Sequence, residues 1–171
     1  MRIVPAVLLA AALSSAGYAQ SPPSAEKLVK GFGPEVREGF TRVRAATAGF
    51  VSLDSAVAVG YARDVPRCFV DEHHGAMGFH HINRAWVDAK VEVEKPEILL
   101  FERHPGGRYV LNGVEYIIPF RVWPKDSTPP TIMGQTLKQE HQLNLWYLHM
   151  WIWTDNPSGL FADWNPSVKC P

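Results

Sequence analysis

The chain has 171 residues, 17 Lys and Arg against 17 Asp and Glu, 46% hydrophobic and 20% charged residues. That length suits one domain, and the composition excludes a disordered or collagen-like chain. A formal charge of zero excludes a broad nucleic-acid or anionic-membrane surface, which needs net positive charge or a basic stripe.

Arg2, the apolar run over 3–13 and Gly17-Tyr18-Ala19 read as a signal peptide over 1–19, cut after Ala19. The run is too short for a bilayer span, which needs about 20 residues, and no other stretch is apolar enough. The expected location is therefore periplasmic or extracellular. Cys68 and Cys170 are the only cysteines. An even count in an exported chain predicts one disulfide, closing a loop of roughly 100 residues. The alternative, a metal or redox pair of thiols, lacks a Cys-x-x-Cys.

Residues 20–33 begin Ser/Pro-rich and read as a flexible lead-in, leaving 34–171 as a single domain. Val36, Phe40, Val43 and Ala46 recur at helical spacing behind Pro34, which suits a first turn. A second helix is expected from about Asp54 to Val59, stopped by Gly60. Strands follow. Residues 78–83 (GFHHIN), 96–103 (PEILLFER), 108–120 (RYVLNGVEYIIPF) and 145–154 (LWYLHMWIWT) are rich in β-branched and aromatic residues. His104-Pro105-Gly106-Gly107 makes a hairpin turn between two of them. Asn112-Gly113 is also a turn signal, but a turn there leaves very short strands, so it reads as a bulge. Residues 123–139 hold three prolines and read as a loop. The expected fold is α+β: N-terminal helices packed on an antiparallel sheet or a small, partly open barrel.

Histidines carry the chemistry. All 7 lie between positions 73 and 149: His73, His74, His80, His81, His104, His141 and His149. Neutral imidazole is the commonest metal ligand. On a strand, His80 and His81 point to opposite faces, so one of them faces a pocket. His149 shares a face with Tyr147, Trp151 and Trp153 if the strand runs on. Glu115, amid Leu, Val, Tyr and Ile, shares a face with Leu111 and Ile117 if no bulge intervenes. A lone buried carboxylate is costly, so it needs a partner: the histidines, or an arginine such as Arg84, Arg103 or Arg121. His80 (or His81), Glu115 and His149 form a two-His, one-carboxylate set for zinc, copper or iron. Met77 and Met150 are their sequence neighbours, and thioether sulfur would favour Cu(I). Trp146, Tyr147, Trp151, Trp153, Phe161 and Trp164 crowd the tail, as core or as the wall of a ligand cleft. No nucleotide fingerprint, Gly-x-Ser-x-Gly or Cys-x-x-Cys-His is present.

The segments GAMGFHHIN (75–83), KPEILLFE (95–102), NGVEYIIP (112–119) and LHMWIWTDNPSGLFADWNPSVKCP (148–171) carry a resemblance. Together they resemble a group of small exported bacterial proteins of unassigned function. The resemblance spans 75–171 and singles out Met77, His80, Asn83, Glu97, Glu102, Glu115, His149, Trp151, Trp153, Asn156 and Trp164. Ala76 departs from the pattern, which has Gly-Met directly. His81 stands where the pattern has an aromatic residue, which favours His80 as the site histidine.

Three functional readings follow. The first is an exported metal-binding protein, or a metalloenzyme on a small molecule, with His80, Glu115 and His149 as ligands. The second is a metal-free acid–base enzyme, a lyase, isomerase or hydrolase, in which the same three residues handle protons for an apolar or aromatic substrate. The third is a non-enzymatic module binding a small molecule through its Trp-rich strand. Met77, Asn83, Tyr147, Trp151 and Trp153 are the candidate ligand-binding residues.

Overall fold

A computed structural model describes residues 22–50, 52–64 and 67–170. The expected signal peptide lies outside them. Among the described residues three α-helices come first: α1 (Ala25–Leu28), α2 (Pro34–Thr47) and α3 (Leu53–Ala58). Eight strands follow: β1 (Cys68–Asp71), β2 (Gly75–Ile82), β3 (Ile98–Arg103), β4 (Tyr109–Pro119), β5 (Thr131–Ile132), β6 (Gln135–Thr136), β7 (Lys138–Glu140) and β8 (Leu145–Met150). Six form one antiparallel sheet in the order β1-β2-β3-β4-β8-β7, curled into a half-barrel. β5 and β6 make a separate small hairpin. The fold is α+β, as expected.

Local signals explain the helices. Pro34 sits in the first turn of α2, and Val36, Phe40 and Val43 form its buried stripe. Ser52 and Ser55 make a reciprocal cap on α3, and Gly60 follows it at φ 105°. Within the expected lead-in, Ser24 caps α1, and Leu28 and Val29 are buried in the core.

The β3–β4 hairpin turns at 104–107 and carries the expected bulge. Leu100 pairs with Gly113 and Phe101 with Leu111, so Asn112 is the extra residue. The bulge changes the parity: Leu111 packs on the helix side, whereas Ile117 packs on the opposite face. Only glycine fits at 113, because a Cβ there would lie 2.7 Å from the Met150 carbonyl oxygen.

The sheet therefore has two cores. Phe40, Val43, Leu99, Phe101, Val114, Tyr116 and Met150 pack between helices and sheet. Ala76, Ile98, Leu100, Ile117, Trp151 and Val168 form a second cluster on the other face. The C-terminal segment covers that face. Asn165 and Ala76 exchange two backbone hydrogen bonds of 3.1 and 3.0 Å, and Cys170 is disulfide-bonded to Cys68.

β8 is shorter than the strand expected over 145–154. After Met150 the backbone leaves the ladder: the Trp151 amide donates to Leu160 and the Trp153 amide to Asn112. β1, β5, β6 and β7 are strands that the sequence pattern did not mark; β5 and β6 lie inside the expected loop over 123–139 and β7 at its end.

Two outcomes are expected. Replacing both cysteines with Ser, which opens a separation of 102 residues, should cost about 3–5 kcal/mol in chemical denaturation. The Glu97 carboxyl is 3% exposed and accepts a hydrogen bond from the Ile117 amide. Burial raises its pKa from 4.5 to about 8. The folded chain thus holds a proton that the unfolded chain releases above about pH 4.5, so this contribution is full below that value and is lost as pH rises toward 8. Glu97→Gln should flatten the loss of stability between pH 5 and 8, measured by urea midpoints across that range.

Candidate metal centre

Strand register brings three side chains to one place. Glu115 on β4 pairs directly with His149 on β8. His80 on β2 pairs with Leu100 on β3, which pairs with Gly113, two residues before Glu115. All three project to the face under the C-terminal segment. His80 Nε2 is 3.4 Å from His149 Nε2 and 3.5 Å from Glu115 Oε2; His149 Nε2 is 3.7 Å from Glu115 Oε1. Their side chains are 15%, 9% and 2% exposed for His80, Glu115 and His149. The expected convergence is present, and these residues could hold a metal ion. The ion-pair contacts of Glu115 are these two histidines, not an arginine.

Each ring turns its second nitrogen outward. His80 Nδ1 lies 3.3 Å from the Gly78 carbonyl oxygen. His149 Nδ1 lies 3.5 Å from Asp163 Oδ1. Asp163 also accepts from Lys138 Nζ at 2.6 Å and from the Tyr147 hydroxyl at 3.2 Å. Phe69 packs edge-on against His80, with centroids 4.9 Å apart.

The electrostatics follow burial. Desolvation, reinforced by the nearby His149, lowers the His80 pKa to about 3, so its ring is neutral at neutral pH. Burial raises Glu115. Burial also pushes Asp163 upward, but the nearby His149 ring and the hydrogen bond and charge of Lys138 outweigh it and take the carboxyl down to about 2.

The other candidates scatter. Tyr147 does belong to the surroundings: its ring stacks edge-on with His149 at 5.6 Å. Trp151 is wholly buried in the second cluster, donating its indole N–H to the Ala162 carbonyl. Trp153 does not share that face. Leaving the ladder after Met150 turns it onto α2, where its indole donates to Thr47 and Arg44 lies 4.3 Å over its ring. There it lines an apolar cavity of about 220 Å³ with Phe50 and Leu111. Asn83 is buried as a brace, accepting from the Ala85 amide and donating to the Val59 carbonyl. Met77 is the extra residue where β2 bulges against β1. Met150 packs in the helix-side core, away from the three residues, because it alternates with His149. The pairing of Met150 with these histidines is thereby corrected.

His81 faces the helix side, its Nδ1–H donating to the Ala62 carbonyl at 2.7 Å. His73 and His74 lie in the β1–β2 turn around Asp71, and His104 in the β3–β4 turn, 3.6 Å from Glu102. Asp163 is the site residue that sequence reasoning missed; it reads only as part of a turn, 14 residues after His149.

The chain matches no protein-family model, no curated protein and no solved structure. Among the described residues, no helix is long and apolar enough to cross a membrane. The arrangement offers two imidazoles and one carboxylate, chemistry suited to a borderline divalent cation or to proton transfer.

Gly78 sits at φ 90°, and a Cβ there would lie 2.6 Å from the Phe101 carbonyl oxygen. Gly78→Ala should therefore destabilise the protein by about 2–3 kcal/mol and displace His80 from its backbone partner. Denaturation and the His80 ring resonances by NMR measure both.

Proposed function

We propose that this protein binds one divalent transition-metal ion through His80, Glu115 and His149, in an oxidising compartment outside the cytoplasm. One observation carries the reading. With each Nδ1 turned toward a carbonyl or carboxylate acceptor, each ring can direct the lone pair of Nε2 to the centre. Two ring nitrogens and a carboxylate then meet within 3.4–3.7 Å, a convergence of three metal-ligand atoms that a bound cation would bridge.

The spacing supports a small ion. Neighbouring ligands on a tetrahedral ion with bonds of about 2.0–2.1 Å stand about 3.3–3.4 Å apart, so a few tenths of an ångström of tightening closes the set. The Cys68–Cys170 bridge leaves no free thiol among the described residues, and Met150 faces away. The donors therefore suit Zn(II) or Fe(II) better than Cu(I). With three protein ligands, a fourth position is free for water, whose activation is the chemistry of a metalloenzyme on a small molecule. The disulfide supports export. The likeness to small exported bacterial proteins points the same way.

A second reading keeps the same residues without metal. The direct 3.4 Å approach of the two Nε2 atoms lets one proton be shared between His80 and His149, with Glu115 beside it.

Protein purified without chelators or a His-tag should carry one equivalent of metal by elemental analysis. His80→Ala and His149→Ala should each weaken Zn(II) binding at least about 100-fold in competition titrations. A folded wild-type protein that binds neither Zn(II) nor Fe(II) would sink the metal reading. Activity that survives chelation would favour the proton-sharing pair.

A further inference from the structure

We infer that Asp163 is a positioning residue that fixes His149 in its Nδ1–H tautomer and thereby aims the Nε2 lone pair at the centre shared with His80 and Glu115. Its metal-affinity consequence rests on the reading proposed above; its tautomer consequence does not.

Three observations carry it. His149 Nδ1 is a buried nitrogen with no ordinary hydrogen-bond partner among the described residues. The nearest carboxylate oxygen is Asp163 Oδ1, 3.5 Å away, close enough for a small ring rotation to complete the bond. Asp163 is itself held: Lys138 Nζ reaches Oδ1 at 2.6 Å, and the Tyr147 hydroxyl reaches Oδ2 at 3.2 Å. Lys138 comes from β7 and Tyr147 from β8, so strands on one side of His149 lock the carboxylate in place. A neutral imidazole carries one proton, on either Nδ1 or Nε2. At Nε2 the proton would point toward His80 and Glu115, and Nδ1 would face a carboxylate as a second acceptor. At Nδ1 it meets Asp163. The second arrangement satisfies both ends of the ring, and it is the carboxylate–histidine pairing that raises ligand basicity in metal sites.

The tautomer is observable without metal. In the apo wild-type protein, two-dimensional nitrogen–proton NMR of the imidazoles should show His149 with a protonated Nδ1 and a bare Nε2. Asp163→Ala should abolish that preference and weaken Zn(II) binding about 10–100-fold. Asp163→Asn keeps an acceptor oxygen and should fall between the two. A wild-type His149 protonated at Nε2 would overturn the inference, whatever the variants do. So would an Asp163→Ala protein with wild-type tautomer and Zn(II) affinity. If the wild type shows the Nδ1–H tautomer, loses it in Asp163→Ala, and binds no metal in either form, the positioning role stands and the metal reading falls. Should Asp163→Ala fail to fold, the wild-type spectrum alone still decides.

Discussion

A carboxylate in the middle of the longest strand of a sheet is costly unless charge or hydrogen-bond donors come to it. Glu115 is 7% exposed, and two imidazoles stand over it. Much of the architecture serves that contact. β8 must lie beside β4 in the register that sets His149 opposite Glu115. The bulge at Asn112 puts Glu115 on the face away from the apolar helix side. Gly113, two residues before Glu115, must lack a Cβ for the Met150 carbonyl of β8 to lie so close. Burial then keeps His80 neutral and Glu115 reluctant to ionise, so the three residues form a polar island whose charge state depends on what joins it.

The two faces of the sheet divide the work. Toward the helices the core is aliphatic and aromatic, with Phe40, Leu99 and Phe101 fully buried. Polar groups there reach backbone carbonyls: His81 Nδ1 that of Ala62, and the Tyr61 and Tyr116 hydroxyls those of Pro96 and Val93. Toward the C-terminal segment the cluster is smaller, and it frames the histidines and Glu115. Stability is concentrated on one face, which leaves the other free to hold groups that a dry core would exclude.

Period-two alternation made half of this legible from the chain alone. It separated His80 from His81, and the turn chemistry of 104–107 with the Asn112-Gly113 bulge set the central hairpin correctly. Three signals could pick out His80, Glu115 and His149 because each is a titratable group in an apolar strand. What alternation does not carry is strand order, so their convergence depended on β8 returning beside β4 across the excursion of residues 120–144. Alternation also fails where a strand ends. Trp153 lies two residues beyond Trp151 but on the other face, because the ladder stops at Met150. Asp163 was invisible for a different reason: it acts through a loop docked by long-range contacts, and no local period marks it.

The docking of the C-terminal segment also completes the site from the end of the chain. His80 and Glu115 precede His149, Asp163 and Cys170 in the chain, and each later residue adds a different layer: the second imidazole, the carboxylate behind it, and the covalent clasp to Cys68. Without those, Glu115 has no imidazole from β8 opposite it, and the sheet face is uncovered. In chain order the polar cluster is thus half encoded by β2 and β4 and completed only by β8 and the C-terminal segment. The Cys68–Cys170 bond then ties the last segment of the chain to β1, a covalent clasp on a site to which neither cysteine contributes an atom.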